Sequence, residues 1–131
     1  MEKPKILVVD DEAEIRRMLK ESLADNIECE ISEASTGSEA ISNIENQKFD
    51  LILLDIKMPG ISGIDVMKKT NLQEAQSDIL VLSAWDSHQV AHESFCKGAV
   101  DYITKTSPVH VICDKVFQIL KKRNKYLPKP K

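Results

Sequence analysis

At 131 residues the chain has the length of one ordinary domain, enough to bury a sizeable core, and its 42% hydrophobic and 30% charged residues exclude a disordered chain. Its longest apolar runs, such as Ile6-Leu7-Val8-Val9 and Leu51-Ile52-Leu53-Leu54, fall far short of the roughly 20 residues of a membrane-spanning helix. With a net charge of −3 and no secretory-type apolar stretch at Met1–Lys5, the expectation is a cytoplasmic domain with no membrane partner and no direct nucleic-acid binding.

The first run, Ile6–Val9, is short and unbroken, which suits a strand buried on both faces in a helix-covered parallel sheet. After Asp11, Ile15, Met18, Leu19 and Leu23 recur at helical spacing. A weaker strand is read at Cys29–Ser32, followed by Thr36-Gly37-Ser38-Glu39, a capping-box pattern ahead of Ala40, Ile41 and Ile44. Leu51–Leu54 is the third strand, and Ser62 caps a third helix carrying Val66 and Met67. Ile79–Leu82 is the fourth. Asp86 or Ser87 starts the next helix, which ends at Gly98, a residue suited to a left-handed stop. Val100–Thr104 is a weaker fifth strand. Ser107-Pro108 then supplies an N-cap and a proline at the first helical position, before a helix that buries Val109, Ile112, Val116, Ile119 and Leu120.

This alternation predicts an α/β fold: a doubly wound five-stranded parallel sheet with helices on both faces. Residues 1–123 make the domain. Residues 124–131 read as a basic C-terminal tail or linker stub, because the stretch from Lys121 to Lys131 holds Lys121, Lys122, Arg123, Lys125, Lys129 and Lys131 and no acid.

The polar residues that close the strands carry the chemistry. Ile6–Val9 runs into Asp10-Asp11-Glu12, Leu51–Leu54 into Asp55, Ile79–Leu82 into Ser83, and the fifth strand into Lys105. In a parallel sheet all these sites share the carboxyl edge, where open α/β sheets bind ligands. Clustered carboxylates repel and call for a cation, and oxygen ligands with phosphate select a hard ion such as Mg²⁺. A carboxylate can be the nucleophile of phosphoryl transfer, with Lys105 as a fixed positive charge and Ser83 as a hydroxyl donor. Taken singly, Asp11 could cap the first helix, Ser83 could sit in a turn, and Lys105 could be a solvated lysine. Such residues closing separate strands together are hard to explain as caps.

The ordered set resembles the receiver domain of two-component response regulators. It comprises Val8-Val9-Asp10-Asp11-Glu12, Leu54-Asp55-Ile56-Lys57-Met58-Pro59-Gly60-Ile61-Ser62-Gly63, Val81-Leu82-Ser83-Ala84 and Gly98-Ala99-Val100-Asp101-Tyr102-Ile103-Thr104-Lys105, and the resemblance spans residues 4–123. It implies a flavodoxin-like sheet in the order 2-1-3-4-5. Asp55 would accept a phosphoryl group from the phosphohistidine of a sensor histidine kinase or histidine phosphotransfer protein. Asp10, Asp11, Asp55 and the Lys57 backbone carbonyl would hold Mg²⁺, for which Mn²⁺ can substitute. Ser83 and Lys105 would contact the phosphoryl group, and Ser83 with Tyr102 would switch the face made by the fourth helix, fifth strand and fifth helix. A downstream effector protein or fused output domain, or a second phosphorylated copy, would read that face. The domain would be a self-phosphorylating and self-dephosphorylating switch rather than a turnover enzyme.

One departure stands out: the family usually places proline directly after the lysine, whereas the order here is Lys105-Thr106-Ser107-Pro108. A trans Lys105–Thr106 bond is expected, since cis without proline costs about 3 kcal/mol. Lys57 and Trp85, each two residues past a site residue, are expected to flank the pocket and tune access of water. His88 and His92 lack a third ligand and read as surface histidines. Cys29, Cys96 and Cys113 are scattered and odd in number, which fits reduced thiols rather than a zinc site or disulfides. A phosphohydrolase is disfavoured because its common second Asp, two residues past the nucleophile, is Lys57 here. A DNA-binding regulator would need an effector domain that does not fit after Arg123 in these residues.

Overall fold

The computed structural model describes residues 2–70, 76–84 and 98–130. Strands β1 (Lys5–Val9), β2 (Glu30–Ala34), β3 (Leu51–Asp55), β4 (Asp78–Ser83) and β5 (Asp101–Thr104) form one sheet in the order β2-β1-β3-β4-β5, with every neighbouring pair parallel. Among the described residues the helices are α1 (Ala13–Asn26), α2 (Gly37–Asn46), α3 (Gly63–Lys69) and α4 (Val109–Lys122). Thus α4 is the helix expected after Ser107-Pro108. The helix expected from Asp86 or Ser87, with Trp85, His88, His92 and Cys96, lies outside the described residues.

Alternate strand residues face opposite layers. Leu7, Val9, Ile52, Leu54, Ile79 and Val81 join Ala40, Ile64, Val66 and Met67 under α2 and α3. Ile6, Val8, Leu51, Leu53, Leu80, Leu82 and Ile103 join Leu19, Leu23, Ile112, Val116 and Leu120 under α1 and α4. Both layers are closed, which explains the unbroken apolar runs of β1, β3 and β4. Each fully buried Leu or Ile contributes about 1.5–3 kcal/mol.

The edge strand β2 begins one residue later than its apolar content suggested. Its register is set by β1, with Lys5 opposite Glu30 and Val9 opposite Ala34, and only Ala34 is buried, so hydrophobicity marks it poorly. Similarly, β5 begins at Asp101, since Val100 is exposed and its N–H reaches the Ile79 carbonyl.

Helix starts follow the polar signals in part. Thr36 accepts a bond from the Glu39 N–H, but the Glu39 carboxylate returns to the Ser35 N–H and hydroxyl, so the expected box is completed one residue earlier. Ser62 and Asp65 form a full capping box on α3. At α4 the expectation needs correction. Pro108 has ψ 145° and is itself the N-cap, while the Ser107 hydroxyl lies 2.9 Å from Thr104 Oγ1 instead of capping. The Lys105–Thr106 bond is trans, as expected.

The segment read as a tail or linker stub is docked through Tyr126, Leu127, Pro128 and Lys129. Leu127 and Lys129 exchange backbone hydrogen bonds with Glu28 and Asn26, Pro128 bridges to Ile27, and the Tyr126 ring lies 5.6 Å from that of Phe117 beneath Lys121. Cys29 and Cys113 are free, and burial pushes both thiols up, Cys113 to about 11, which keeps it protonated at neutral pH. Among the described residues no helix is long and apolar enough to cross a membrane.

Candidate functional site

Asp10, Asp55 and Ser83 are the buried polar residues among those described, and all three stand at the carboxyl edge of the sheet. Parity and pairing explain their placement. Asp10 follows Val8, and Asp55 follows Leu53, on the side covered by α1 and α4, and Lys105 follows Ile103 on the same side. Ser83, in phase with Val81, belongs to the opposite side, as does Tyr102.

Lys105 draws the acids together. Its ammonium lies 3.0 Å from Asp10 Oδ2, 3.0 Å from Glu12 Oε1 and 3.2 Å from Asp55 Oδ2. Its backbone N–H donates to the Ser83 carbonyl at 2.6 Å, which ties the end of β5 to the end of β4. Asp55 Oδ1 accepts from the Lys57 N–H at 3.3 Å, and Asp10 Oδ1 from the Glu12 N–H at 2.9 Å. Arg16 steadies the Asp10 carbonyl at 2.7 Å and pairs with Glu33 of β2 at 3.3 Å.

Electrostatics follow from enclosure. Burial pushes the Asp55 carboxyl up from 3.8 to about 7; the Asp10 charge adds to this, while Lys105 and the Lys57 N–H oppose it. Burial raises Asp10 as well, against the Glu12 N–H and Lys105. For Lys105, burial works downward, but bonds to Glu12 and Asp10 and the charges of Asp55 and Asp10 win and hold it above its ordinary value. One cation therefore serves three acids.

That shortage of positive charge bears on metal binding. Asp10, Asp11 and Asp55 each offer an oxygen within 4.8 Å of the others, with Asp11 exposed at the mouth. Asp10 Oδ2 is buried and, despite the nearby ammonium, accepts no directed hydrogen bond. Hard oxygen donors with an unsatisfied buried member fit Mg²⁺ and do not suit a soft metal.

Locally, the loop after β3 is shaped by glycine. Gly60 has φ +77°, and a Cβ on Gly63 would collide with the Asp55 carbonyl, so α3 can start directly against the backbone of Asp55 only with glycine there.

The described site thus gathers Asp10, Asp11, Asp55 and Lys105. Lys57 is exposed beside it, and Ser83 closes β4 next to Lys105. Tyr102 is half-buried, opposite Val81 and packed on the α2–α3 layer. The capping alternative for Asp11 fails, because the N-cap of α1 is Glu12. Sequence reasoning gave no role to Glu12, Arg16 or Gly63. Glu12 left a trace as a third consecutive acid, and Gly63 as the last residue of the Leu54–Gly63 motif.

The profile of the response regulator receiver domain family matches residues 6–117. The chain belongs to that family. This receiver domain is 42% identical over 109 residues to the transcriptional regulatory protein ResD of Bacillus subtilis, covering 82% of this chain and 45% of ResD, so it spans about half of that relative. It is 30% identical to sporulation initiation phosphotransferase F of Bacillus subtilis, over 95% of this chain and 94% of that protein. A CheY-like response regulator receiver domain protein from Methanospirillum hungatei superposes with a TM-score of 0.85 at 27% identity, covering 95% of this chain and 98% of that one. The receiver domain thus has the CheY-like, flavodoxin-like fold expected, with its sheet in the order 2-1-3-4-5.

Proposed function

We propose that this receiver domain is a phosphorylation-operated switch in which Asp55 takes a phosphoryl group from the phosphohistidine of a sensor histidine kinase or histidine phosphotransfer protein. A carboxylate oxygen of Asp55 forms the new P–O bond as the P–N bond to the imidazole breaks, and the leaving imidazole is protonated. Asp10, Asp11 and Asp55, with the Lys57 backbone carbonyl, would hold Mg²⁺ or Mn²⁺. The bound ion supplies the positive charge that makes Asp55 anionic and neutralises the incoming phosphoryl oxygens.

The observation that carries this reading is the buried Asp55 carboxylate, held by the Lys105 ammonium at 3.2 Å beside two further acids at the ligand-binding edge of the sheet. Lys105 keeps a charge where oxygens of the phosphoryl group would gather, and Ser83 offers its hydroxyl from the neighbouring strand end. Movement of Ser83 toward the phosphoryl group would be passed to Tyr102 of β5, which lies opposite Val81, two residues before Ser83 and on the same side of the sheet, and so to the face carrying β5 and α4. A downstream effector protein, an output domain beyond these residues or a second copy would read that face. The phosphoryl group is hydrolysed at the same site, so the domain acts as a switch rather than a turnover enzyme.

Incubation with acetyl phosphate and Mg²⁺, followed by intact mass, tests the reading. The native chain should gain one phosphoryl group and Asp55→Asn none; equal gain by both would refute it.

A further inference from the structure

Helix N-caps favour Ser, Thr, Asp and Asn, whose short side chains reach the free N–H groups of the first turn. The N-cap of α1 is Glu12, and its side chain makes no capping bond. Its carboxylate instead extends from the mouth of the site to the Lys105 ammonium at 3.0 Å, while its backbone N–H holds Asp10 Oδ1 at 2.9 Å. Glu12 therefore touches both members of the Asp10–Lys105 pair, and a local rule is broken at the site itself.

The three donors of the Lys105 ammonium face three acceptors: Asp10, Glu12 and Asp55. On the proposed function, Asp10 is engaged by the metal and Asp55 becomes the acyl phosphate, so two acceptors change character during the reaction. Glu12 alone stays a free carboxylate throughout. Lys105 has only 10% of its side chain exposed, whereas Glu12 has 59%, so Glu12 holds the lysine from the solvent side with freedom to follow it.

We infer that Glu12 is a positioning residue: it anchors the Lys105 ammonium over the pocket before and after Asp55 is phosphorylated, acting on phosphoryl transfer only through Lys105. This rests on the phosphoacceptor reading of Asp55, and the test separates the two. Phosphorylation by acetyl phosphate with Mg²⁺ is timed by intact mass for the native chain, Glu12→Ala, Glu12→Gln, Lys105→Ala and Glu12→Ala/Lys105→Ala, at several Mg²⁺ concentrations.

Glu12→Ala should slow transfer roughly two- to fivefold at saturating Mg²⁺. Glu12→Gln, which keeps an acceptor oxygen, should fall between it and the native chain. In the Lys105→Ala background the same Glu12→Ala change should have no further effect. An equal slowing in both backgrounds, a loss abolished by raising Mg²⁺, or an unchanged rate in Glu12→Ala would each overturn the inference while leaving Asp55 as acceptor. Absence of phosphorylation in the native chain would instead remove the reading beneath it.

Discussion

Lys105 Nζ lies 3.2 Å from Asp55 Oδ2, although the two residues are 50 positions apart in the chain. The contact exists because β3 and β5 flank β4 in one parallel sheet and end at the same edge. The acid is buried, and among the described residues the cation paired with it is Lys105.

Asp55→Asn should stabilise the metal-free domain at and above neutral pH. The folded-state carboxyl titrates at about 7 against an ordinary 3.8, so between these values the folded chain holds a proton that the unfolded chain has released. Stability from this group is full below the unfolded value and is lost as pH rises through the folded one. The advantage of Asn should therefore grow between about pH 4 and pH 7 and then level off, at about 1–3 kcal/mol after allowing for the partner lost to Lys105. Urea midpoints in chelator across this range measure it.

Lys105→Met should act oppositely. It leaves Asp10 and Asp55 buried without their ammonium, which costs on the order of 3–5 kcal/mol when both acids are charged. The loss should shrink at about pH 5, where Asp55 is protonated, and Mg²⁺ should restore part of it at about pH 8. Thermal melts with and without Mg²⁺ at both pH values check this.

Gly63→Ala should disturb the site without touching a charged group. The added methyl meets the Asp55 carbonyl and Ile56 Cα, both backbone, so α3 must shift or the end of β3 must yield. A destabilisation of about 1–3 kcal/mol is expected, with slower phosphorylation of Asp55 at temperatures where the variant is fully folded. Denaturant midpoints and intact-mass time courses report the two effects separately.

Tyr126→Ala should cost about 1 kcal/mol in urea unfolding, because the ring packs on Phe117 and under the Lys121 ammonium. Removing residues 124–131 should cost more, since the backbone bonds to Asn26 and Glu28 go as well. A truncated chain as stable as the native one would contradict the docked tail.

Much of this was legible in the sequence, because apolar runs closed on both faces and ended by polar residues mark both the strands and the site. Asp10, Asp55, Ser83 and Lys105 could be read as sharing one edge before any contact was known. The edge strand β2 was less clear, since one half-exposed face gives residues such as Glu30 and Glu33 no apolar signal. Pro108 as N-cap was not legible because Ser107-Pro108 carries the ordinary pattern of a serine cap before a first-turn proline, whereas the extended ψ of 145° keeps Pro108 outside the helix. Glu12 and Arg16 were invisible as partners, for their roles depend on side chains crossing to Lys105, just past β5, and to Glu33 of β2. The docking of Tyr126 likewise depends on a long-range contact that a basic, proline-containing tail does not advertise.

On the proposed function, the Asp55 carboxylate becomes an acyl phosphate. Borohydride reduces an acyl phosphate to an alcohol, which converts a phosphorylated aspartate to homoserine and marks its position permanently. After treatment with acetyl phosphate and Mg²⁺, then borohydride, peptide mass analysis should find homoserine at position 55 and nowhere else. Reduction at Asp10 or Asp11, or none anywhere, would contradict the account.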